Sequence, residues 1–316
     1  MDEAGKYEKA NEKLNEILEE TSKVIVGQEK VQRQLLISIL CDGNVLLESY
    51  PGLAKTKMVR TISEVIGLDF SRIQNTPDLM PSDVTGTHII SEQEGEKDFV
   101  FQQGPIFANM VLADEINRAT PKTQAALLEA MEEKQVTVGN STYKLDKPFF
   151  IMATQNPIDQ EGTYPLPEAQ SDRFLMKVRV DYPEEDEEEQ VVDRFTSELD
   201  YSPHLNKVLS DASLIKLQEF TRQVPIADDI RAKAVAIVRE TREHEDLNYG
   251  ASPRASMGLV LAAKARAIIE GRNHVSESDI DEMAKPVLRH RLGLSFQAEK
   301  EGKNADDVVE EIVESK

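Results

Sequence analysis

Five short runs of apolar and β-branched residues constrain the fold of this chain more than any other feature of its sequence. Four of the five are almost continuously apolar, as is typical of strands that are buried on both faces of a sheet. Helical patterns separate the runs, and this alternation predicts an α/β fold in which helices cover a parallel sheet. The runs are NVLLE (44–48), FSRIQ (70–74), MVLAD (110–114), FFIMAT (149–154) and LMKVRV (175–180).

Two segments interrupt this alternation, and we expect each to form a β-hairpin inserted into the α/β layer. Residues 84–101 contain two short strand patterns around a polar tip that includes a glycine. Residues 135–145 repeat the arrangement around Gly139 and Asn140.

The pattern changes after Pro183, where strand signals stop and helical signals fill the remaining chain. We therefore predict an α/β domain over residues 1–183 and a smaller all-α domain over residues 184–316. The final polar stretch, from Gln297 onward, suits either a short terminal helix or a partly loose segment. The helices predicted after Pro183 cover residues 184–196, 211–223, 228–246, 253–271 and 276–290.

Composition argues against several classes of function. The formal net charge is −21, with 58 acidic against 37 basic residues and no block of clustered lysine and arginine, so we do not expect nucleic-acid binding. No segment is apolar enough for a membrane span, and the charged N-terminus does not resemble a signal peptide. The single cysteine, Cys41, is expected to be a buried residue at a helix end and fits a reducing, cytoplasmic location.

The segment NVLLESYPGLAKTK (44–57) predicts a strand, a turn and a helix in immediate succession. This is the arrangement of a phosphate-binding loop, in which backbone N–H groups at a helix N-terminus, a lysine and a hydroxyl hold a nucleotide and its metal. Lys55 and Thr56 supply the two side chains. Against the pattern G-x-x-x-x-G-K-[ST], however, Ser49 and Ala54 stand at the glycine positions.

Two further strands end in polar residues. MVLAD ends in Asp114 and is followed by Glu115, and FFIMAT is followed by Gln155 and Asn156. A carboxylate at the end of a buried strand is costly to desolvate, which favours a functional role over a helix cap at Asp114. Ligands of open α/β sheets bind at the carboxyl ends of the strands, so we expect these residues to share one crevice with Lys55.

Longer segments carry a resemblance to a known family. YPGLAKT, LADEINRATPKTQAALLEAMEE, MATQNPIDQEGTYPLPEAQSDRF and SPRA resemble the MoxR-type AAA+ ATPases of the helix-2-insert clade, which are related to magnesium chelatase ATPase subunits. The resemblance covers nearly the full length of the chain. It implies a P-loop NTPase core with inserted hairpins and a helical lid. The family's own loop reads G-x-P-G-x-A-K-T, so Ala54 is expected and only Ser49 departs.

The resemblance also implies a role for each candidate residue. Lys55 and Thr56 would contact phosphate and Mg²⁺, with Asp114 as the second metal residue and Glu115 as the general base. Asn156 would be sensor 1, Arg173 the arginine finger for a neighbouring subunit, and Arg254 sensor 2. Arg118 suits either an inter-subunit contact or a helix cap. The nucleotide-binding residues implied are Val26, Gly27, Ser49, Tyr50, Pro51, Gly52, Leu53, Ala54, Lys55 and Thr56.

The function implied is Mg²⁺-dependent ATP hydrolysis by a homo-oligomeric ring, expected to be a hexamer, that remodels or matures a separate protein client. A client with a von Willebrand factor A domain or a metal cofactor would fit the family. Three alternatives stay open: a chelatase-type motor for metal insertion, a nucleotide-gated scaffold with little turnover because Ser49 distorts the loop, and a helicase-like activity. The last is disfavoured by the net charge.

Overall fold

A five-stranded parallel sheet lies at the centre of the protein, as the apolar runs predict. The computed structural model describes residues 3–93, 96–157, 162–197 and 201–316. With strands numbered along the chain, the sheet contains β1 (Val45–Ser49), β2 (Phe70–Gln74), β5 (Met110–Asp114), β8 (Phe150–Gln155) and β9 (Met176–Val180). Their order is β2-β5-β8-β1-β9, which places the carboxyl ends of β5, β8 and β1 side by side.

Helices cover both faces of this sheet because its strands are apolar on both faces. Val45 and Leu47 of β1 join one apolar cluster, whereas Leu46 between them joins the other. The helices of this part of the chain are α1 (Glu3–Ser22), α2 (Glu29–Leu40), α3 (Lys55–Ile66), α4 (Pro81–Thr85), α5 (Pro121–Glu133) and α6 (Glu168–Ser171).

Both predicted hairpins form. The first pairs β3 (Gly86–Gln93) with β4 (Glu96–Gln103), and the second pairs β6 (Gln135–Val138) with β7 (Ser141–Lys144). The first begins two residues later than expected because α4 occupies the chain as far as Thr85. The two hairpins touch through a stacked pair of rings, Phe101 and Tyr143, whose centroids are 4.0 Å apart.

The chain after Pro183 is mainly helical, as predicted, and also contains a small antiparallel sheet. Two strands, β10 (Leu247–Tyr249) and β11 (Gly293–Leu294), pair within it. The terminal stretch is helical, with Val308, Val309 and Ile312 buried. The helices are α7 (Glu185–Thr196), α8 (Asp211–Gln223), α9 (Asp228–Glu240), α10 (Pro253–Ile269), α11 (Glu277–Leu288), α12 (Phe296–Lys300) and α13 (Ala305–Glu314).

The helix predicted over residues 228–246 is too long, because α9 ends at Glu240. The hydroxyl of Thr241 donates to the Val238 carbonyl (2.6 Å) and accepts from the Ala251 amide (3.0 Å). The chain therefore folds back on itself at Thr241 and then enters β10. Gly250 permits this return, since a Cβ at that position would overlap the Thr241 carbonyl.

The C-terminal helices pack against the sheet's own helices. Leu259 and Ile268 of α10 and Val287 of α11 belong to the same apolar cluster as Val45 and Leu47 of β1. The change in composition near Pro183 is therefore not a break in this hydrophobic core. The division of the chain into domains at residue 183 stays a prediction.

Candidate functional site

The loop after β1 has the backbone of a phosphate-binding cradle. Gly52 (φ 87°) and Ala54 (φ 53°) both adopt positive φ, and Ala54 is the N-cap of α3. The loop therefore turns sharply into the helix, whose first backbone N–H groups carry the positive end of the helix dipole. Lys55 and Thr56 are the first two residues of α3. An open loop at a helix N-terminus is suited to bind an anion such as phosphate.

Lys55 is held inside this loop. Its Nζ donates to the carbonyl oxygens of Ser49 (3.3 Å) and Tyr50 (3.2 Å). Partial burial lowers the pKa of Lys55, and the carboxylates of Asp114 and Glu115 oppose that shift. The charges of the acidic pair thus favour the protonated form of Lys55, whose ammonium lies at the loop carbonyls.

Ser49, the residue that departs from the family pattern, causes no backbone strain. It is the last residue of β1 and has the extended conformation of that strand. Its side chain is buried, and its hydroxyl donates to the Tyr50 carbonyl at 2.9 Å. The left-handed conformation that favours glycine occurs at Ala54 instead, where alanine costs about 1–2 kcal/mol.

The acidic pair lies at the end of β5, and Thr154 of β8 holds it in place. The Thr154 hydroxyl donates to Asp114 Oδ1 (2.6 Å) and accepts the backbone N–H of Glu115 (2.8 Å). Glu115 itself has a left-handed backbone (φ 54°) that turns its side chain away from the strand direction. The side chain of Asp114 is therefore engaged with neighbouring strands and does not cap a helix.

Two residues of β2 that sequence reasoning did not select also contact the acidic pair. Arg72 donates to Asp114 Oδ2 from Nη2 (2.6 Å) and from Nε (3.1 Å). Gln74 donates to Glu115 Oε2 at 3.3 Å. The polar positions 72 and 74 alternate along β2 and so lie on the same side of the strand, which is the signal that could have indicated them.

Arg118 also contacts Glu115, through Nη1 to Oε2 at 3.0 Å. It ends a one-turn helix over Ile116–Arg118. In this structure Arg118 is therefore an ion-pair partner of the acidic pair within the same chain. Asn156 directly follows β8, between the ends of β5 and β1, and is half-buried.

A cavity of about 280 Å³ opens on the other side of the loop. Val26 lines it, as do Gly52, Leu53 and Ala54, whereas Gly27 lies beside it against the carboxylate of Glu187. Its outer wall includes Phe195 of α7, and the Lys57 ammonium lies 3.9 Å from the centre of that ring. The mostly apolar lining suits a flat aromatic base, and it adjoins the phosphate-binding loop.

The remaining loop residues are accessible. Pro51 is exposed, and Tyr50 stacks on Tyr182 after β9, with ring centroids 5.3 Å apart. The structure thus brings together the loop, the acidic pair, Asn156 and Val26 at the carboxyl ends of the strands. It does so for every candidate except two arginines.

Arg173 and Arg254 lie at the opposite ends of the strands, on the side of the sheet where the strands begin. This side, with Arg173, Arg254 and Glu132, is called the arginine edge below. Arg173 precedes β9, beside Asn44 at the start of β1, whereas the loop follows the end of β1. A strand of this length separates the two edges by roughly 16 Å. Both arginines bind the same carboxylate: Glu132 accepts from Arg173 Nη1 (2.7 Å) and from Arg254 Nη2 (2.5 Å).

An ion pair between the buried Arg291 and the half-buried Asp172 anchors this arginine edge. Arg291 donates from Nε to Asp172 Oδ1 at 2.8 Å, and its Nη2 contacts the Phe174 carbonyl at 2.6 Å. The Ser252 hydroxyl also donates to Asp172 (2.9 Å). Burial lowers the pKa of Arg291, and Asp172 opposes the shift. The residue before Arg173 is thus fixed to the start of α10 and to the segment after α11.

In the part of the chain that the structure describes, one group of possible metal ligands lies outside this site. The ligand atoms of His244, Asp246 and Glu311 all lie within 4.8 Å of one another. Lys303 Nζ already donates to Asp246 (2.7 Å) and to Glu311 (3.0 Å). The lysine contacts both carboxylates and offsets part of their charge, so this cluster is an ion-pair network.

Known proteins share this architecture. The sequence pattern of the ATPase family associated with various cellular activities (AAA) matches residues 44–176, and that of the AAA lid domain matches residues 239–312. Chaperone MoxR1 of Mycobacterium tuberculosis is 43% identical over 309 residues, which cover 95% of this chain and 79% of MoxR1. The chain belongs to the MoxR family of AAA+ ATPases.

Two further relatives support this membership. Protein YeaC of Bacillus subtilis is 46% identical to this MoxR-family chain over 304 residues, 95% of this chain and 93% of YeaC. A crystal structure of a Cytophaga hutchinsonii protein superposes with a TM-score of 0.91 at 42% identity and covers 98% of this chain and 96% of that one. The resemblance drawn from the sequence motifs is confirmed, as is the predicted P-loop fold with a lid.

The residues present fit the nucleotide and the Mg²⁺ that AAA ATPases use. The loop offers backbone N–H groups and Lys55, and apart from its chain neighbours no described residue places an atom within 4 Å of the position that a Cβ of Gly52 would take, so the cradle is open. Thr56 and Asp114 offer the oxygen ligands that Mg²⁺ prefers. Among the described residues, none of the helices combines the length and hydropathy that a membrane crossing requires.

Proposed function

We propose that this MoxR-family protein hydrolyses ATP with Mg²⁺ and uses the energy to remodel or mature a protein client. One observation carries the proposal: the ends of the adjacent strands β5, β8 and β1 present an acidic pair, an asparagine and a phosphate-type loop to one crevice. Phosphoryl transfer is catalysed chiefly by positioning and by charge stabilisation, and this crevice offers groups for both.

Within one chain, Lys55 and the loop amides would hold the phosphates, and Thr56 with Asp114 would hold Mg²⁺, which neutralises phosphate charge. Glu115 would accept the proton of the attacking water, and Asn156 would orient that water. The contact between Thr154 and the backbone of Glu115 supports this assignment, because it fixes the position of the base.

The two remaining arginines would act on a neighbouring subunit. In one chain they lie about one strand length from the phosphate loop, so they serve a nucleotide only where the edge of one subunit meets the crevice of the next. A head-to-tail contact of this kind closes into a ring, and we propose a hexamer. In such a ring Arg173 would be the finger and Arg254 a second cation beside it.

The first hairpin is the surface we propose for the client. Phe99 is 76% exposed and Ile90, paired with it across the hairpin, is 62% exposed. They lie on the same face as Phe101, which packs on the second hairpin. An apolar strip that continues from a packed contact into solvent suits an unfolded or loosely folded polypeptide. We further propose a cytoplasmic location, for which the free, buried Cys41 is suited.

Steady-state ATP hydrolysis against protein concentration tests the proposal. The wild-type specific activity should rise with concentration, and Glu115→Gln should lower turnover by roughly 10²- to 10⁴-fold while ATP still binds. Glu133→Gln, an exposed position on α5, is the matched control and should behave as wild type. Failure of the wild-type protein to hydrolyse ATP at any concentration, or full activity of Glu115→Gln, would contradict the proposed function.

A further inference from the structure

Arg72 makes a closer contact with Asp114 than any residue that the family resemblance indicated. It lies in the middle of the edge strand β2, and its register partner on β5 is Leu112, two residues before Asp114. Two nitrogens of its guanidinium group, Nη2 and Nε, donate to the same carboxylate oxygen, Oδ2, at 2.6 and 3.1 Å. Since Thr154 donates to Oδ1, both oxygens of Asp114 are engaged.

The surroundings of Arg72 couple this contact to the neighbouring acid. Gln74 accepts from Arg72 Nη2 (2.5 Å) and donates to Glu115 Oε2 (3.3 Å). The side chain of Asp114 is 10% exposed, whereas that of Arg72 is 46% exposed. The carboxylate is therefore nearly desolvated, and Arg72 provides its positive counter-charge from the solvent side. An exposed guanidinium group can leave such a contact without unfolding the strand.

A desolvated carboxylate next to a phosphate-binding loop creates an electrostatic problem. Without a cation it would repel the phosphates of an incoming nucleotide. Lys55 interacts with this charge through space, but its ammonium donates to the loop carbonyls of Ser49 and Tyr50 and forms no ion pair with the carboxylate. Among the described residues, Arg72 is the cation that forms an ion pair with Asp114.

We propose that Arg72 is a positioning residue that acts through Asp114 and is displaced from Oδ2 when Mg²⁺ binds. The inference rests on the proposed function, in which Asp114 is a magnesium residue. Before the metal arrives, Arg72 neutralises and orients the carboxylate, so that nucleotide alone can enter. When the metal binds, it competes with the guanidinium group for the same oxygen, so Arg72 weakens the apparent affinity for Mg²⁺.

Fluorescence titrations with N-methylanthraniloyl-ATP, first in EDTA and then against rising Mg²⁺, test this competition. Arg72→Gln should bind the nucleotide about three- to tenfold more weakly in EDTA, because Asp114 is then unpaired. It should also need about three- to tenfold less Mg²⁺ for half-saturation, because the competitor is gone. Arg72→Lys should fall between this variant and wild type. Arg60→Gln, which removes an exposed ion pair on α3, should match wild type.

The two shifts in opposite directions separate this role from a structural one. If Arg72→Gln weakens both nucleotide and Mg²⁺ binding and melts at a lower temperature, Arg72 merely supports the fold and the proposal is wrong. Unchanged titrations would also overturn it. Failure of the folded wild-type protein to bind the nucleotide would instead overturn the proposed function together with this inference. If the wild-type protein binds the nucleotide and Lys55→Ala abolishes that binding, the proposed nucleotide site stands. An unexpected result with Arg72→Gln then contradicts only the role proposed for Arg72.

Discussion

The side of the central sheet where its strands end, the carboxyl edge, is built differently from the side where they begin, the arginine edge. At the carboxyl edge, the candidate residues follow directly on strands, and each is placed by its own motif: the loop after β1, the acidic pair after β5 and the asparagine after β8. At the arginine edge, Arg173 and Arg254 are placed by partners far away in sequence, above all Glu132. Local motifs thus bring the crevice residues to the strand ends, where contacts such as that of Thr154 with Asp114 then fix them, whereas no local motif places the two arginines and they depend on long-range contacts alone.

The contrast has a functional meaning if the two edges belong to different subunits of one catalytic site. The crevice then needs to be complete within one chain to bind nucleotide. The arginine edge needs only to be rigid enough to enter a neighbour's crevice. The buried contact between Arg291 and Asp172, next to Arg173, is consistent with that requirement.

The largest expected effect separates the two edges. Arg173→Ala should lower ATP turnover by at least roughly 10³-fold, because an arginine finger stabilises charge in the transition state. Lys55→Ala should be inactive as well. An equal mixture of the two inactive variants should recover up to about a quarter of wild-type turnover, since one interface in four then pairs an intact loop with an intact finger.

The control for this mixing experiment is the double variant that carries Arg173→Ala and Glu115→Gln in one chain. Its crevice is not intact, so a mixture of it with Lys55→Ala should stay inactive. Absence of recovery in the first mixture, with rings formed, would mean that the two edges do not meet between subunits.

A second prediction breaks the arginine edge through its anchor. Arg291→Met should lower the free energy of unfolding by about 3 kcal/mol, because it leaves the half-buried Asp172 carboxylate without its counter-charge and removes the buried N–H donor of the Phe174 carbonyl. Urea denaturation measures this loss. Arg231→Met, which removes an exposed ion pair on α9, should change stability by less than about 0.5 kcal/mol. Equal losses in the two variants would contradict the assignment of Arg291 as an anchor.

The arginine edge should also be sensitive to pH. His290 is buried, its Nε2 lies 3.1 Å from the Phe174 carbonyl, and burial lowers its pKa well below 6.5, aided by Arg291, Lys177 and Arg289. The folded protein therefore keeps His290 neutral, whereas the unfolded chain binds a proton below about pH 6.5. The free energy of unfolding should accordingly decrease as the pH is lowered below about 6.5, by about 1.4 kcal/mol at about pH 5.5.

Denaturation of wild type and His290→Gln at about pH 7.5 and about pH 5.5 checks this assignment. In His290→Gln, the free energy of unfolding should decrease by about 1.4 kcal/mol less between the two pH values than in wild type. The other four histidines are unchanged in this variant, so the difference reports on His290. An equal pH dependence in both proteins would assign it to other groups.

The smallest expected effect concerns the crevice. Ser49→Gly should leave turnover within about twofold of wild type and lower stability by about 0.5–1 kcal/mol, because Ser49 is extended and a glycine in a strand has more conformational entropy to lose. Turnover assays with Ser49→Ala as the comparison measure this effect. A sharp rise in turnover in the glycine variant would instead favour the nucleotide-gated scaffold, in which Ser49 distorts the loop.

Which residues could be predicted follows the same division. Lys55, Glu115 and Asn156 were identifiable because a motif at a strand end fixes its position relative to the sheet, and parallel strands bring their ends together. Arg72 and Thr154 were not, since both lie within strands, and the alternation of polar positions 72 and 74 marks one side of β2 but does not tell which residue that side faces. Only the order β2-β5-β8 shows that both flank Asp114. The early end of α9 was missed because its cause, the contact between Thr241 and Ala251, joins residues across a turn.

The sequence by itself determined the α/β class, the two hairpins, the crevice residues and the resemblance that the relatives confirm. These features rest on local patterns: apolar runs, turn residues and motifs whose spacing is fixed along the chain. Only the tertiary structure decided that Arg72 binds the Asp114 carboxylate and that Ser49 is unstrained. It also decided that Glu132 binds both Arg173 and Arg254, the second of which lies 122 residues away in sequence. A side-chain contact between distant residues depends on strand order and packing, and no local pattern encodes it.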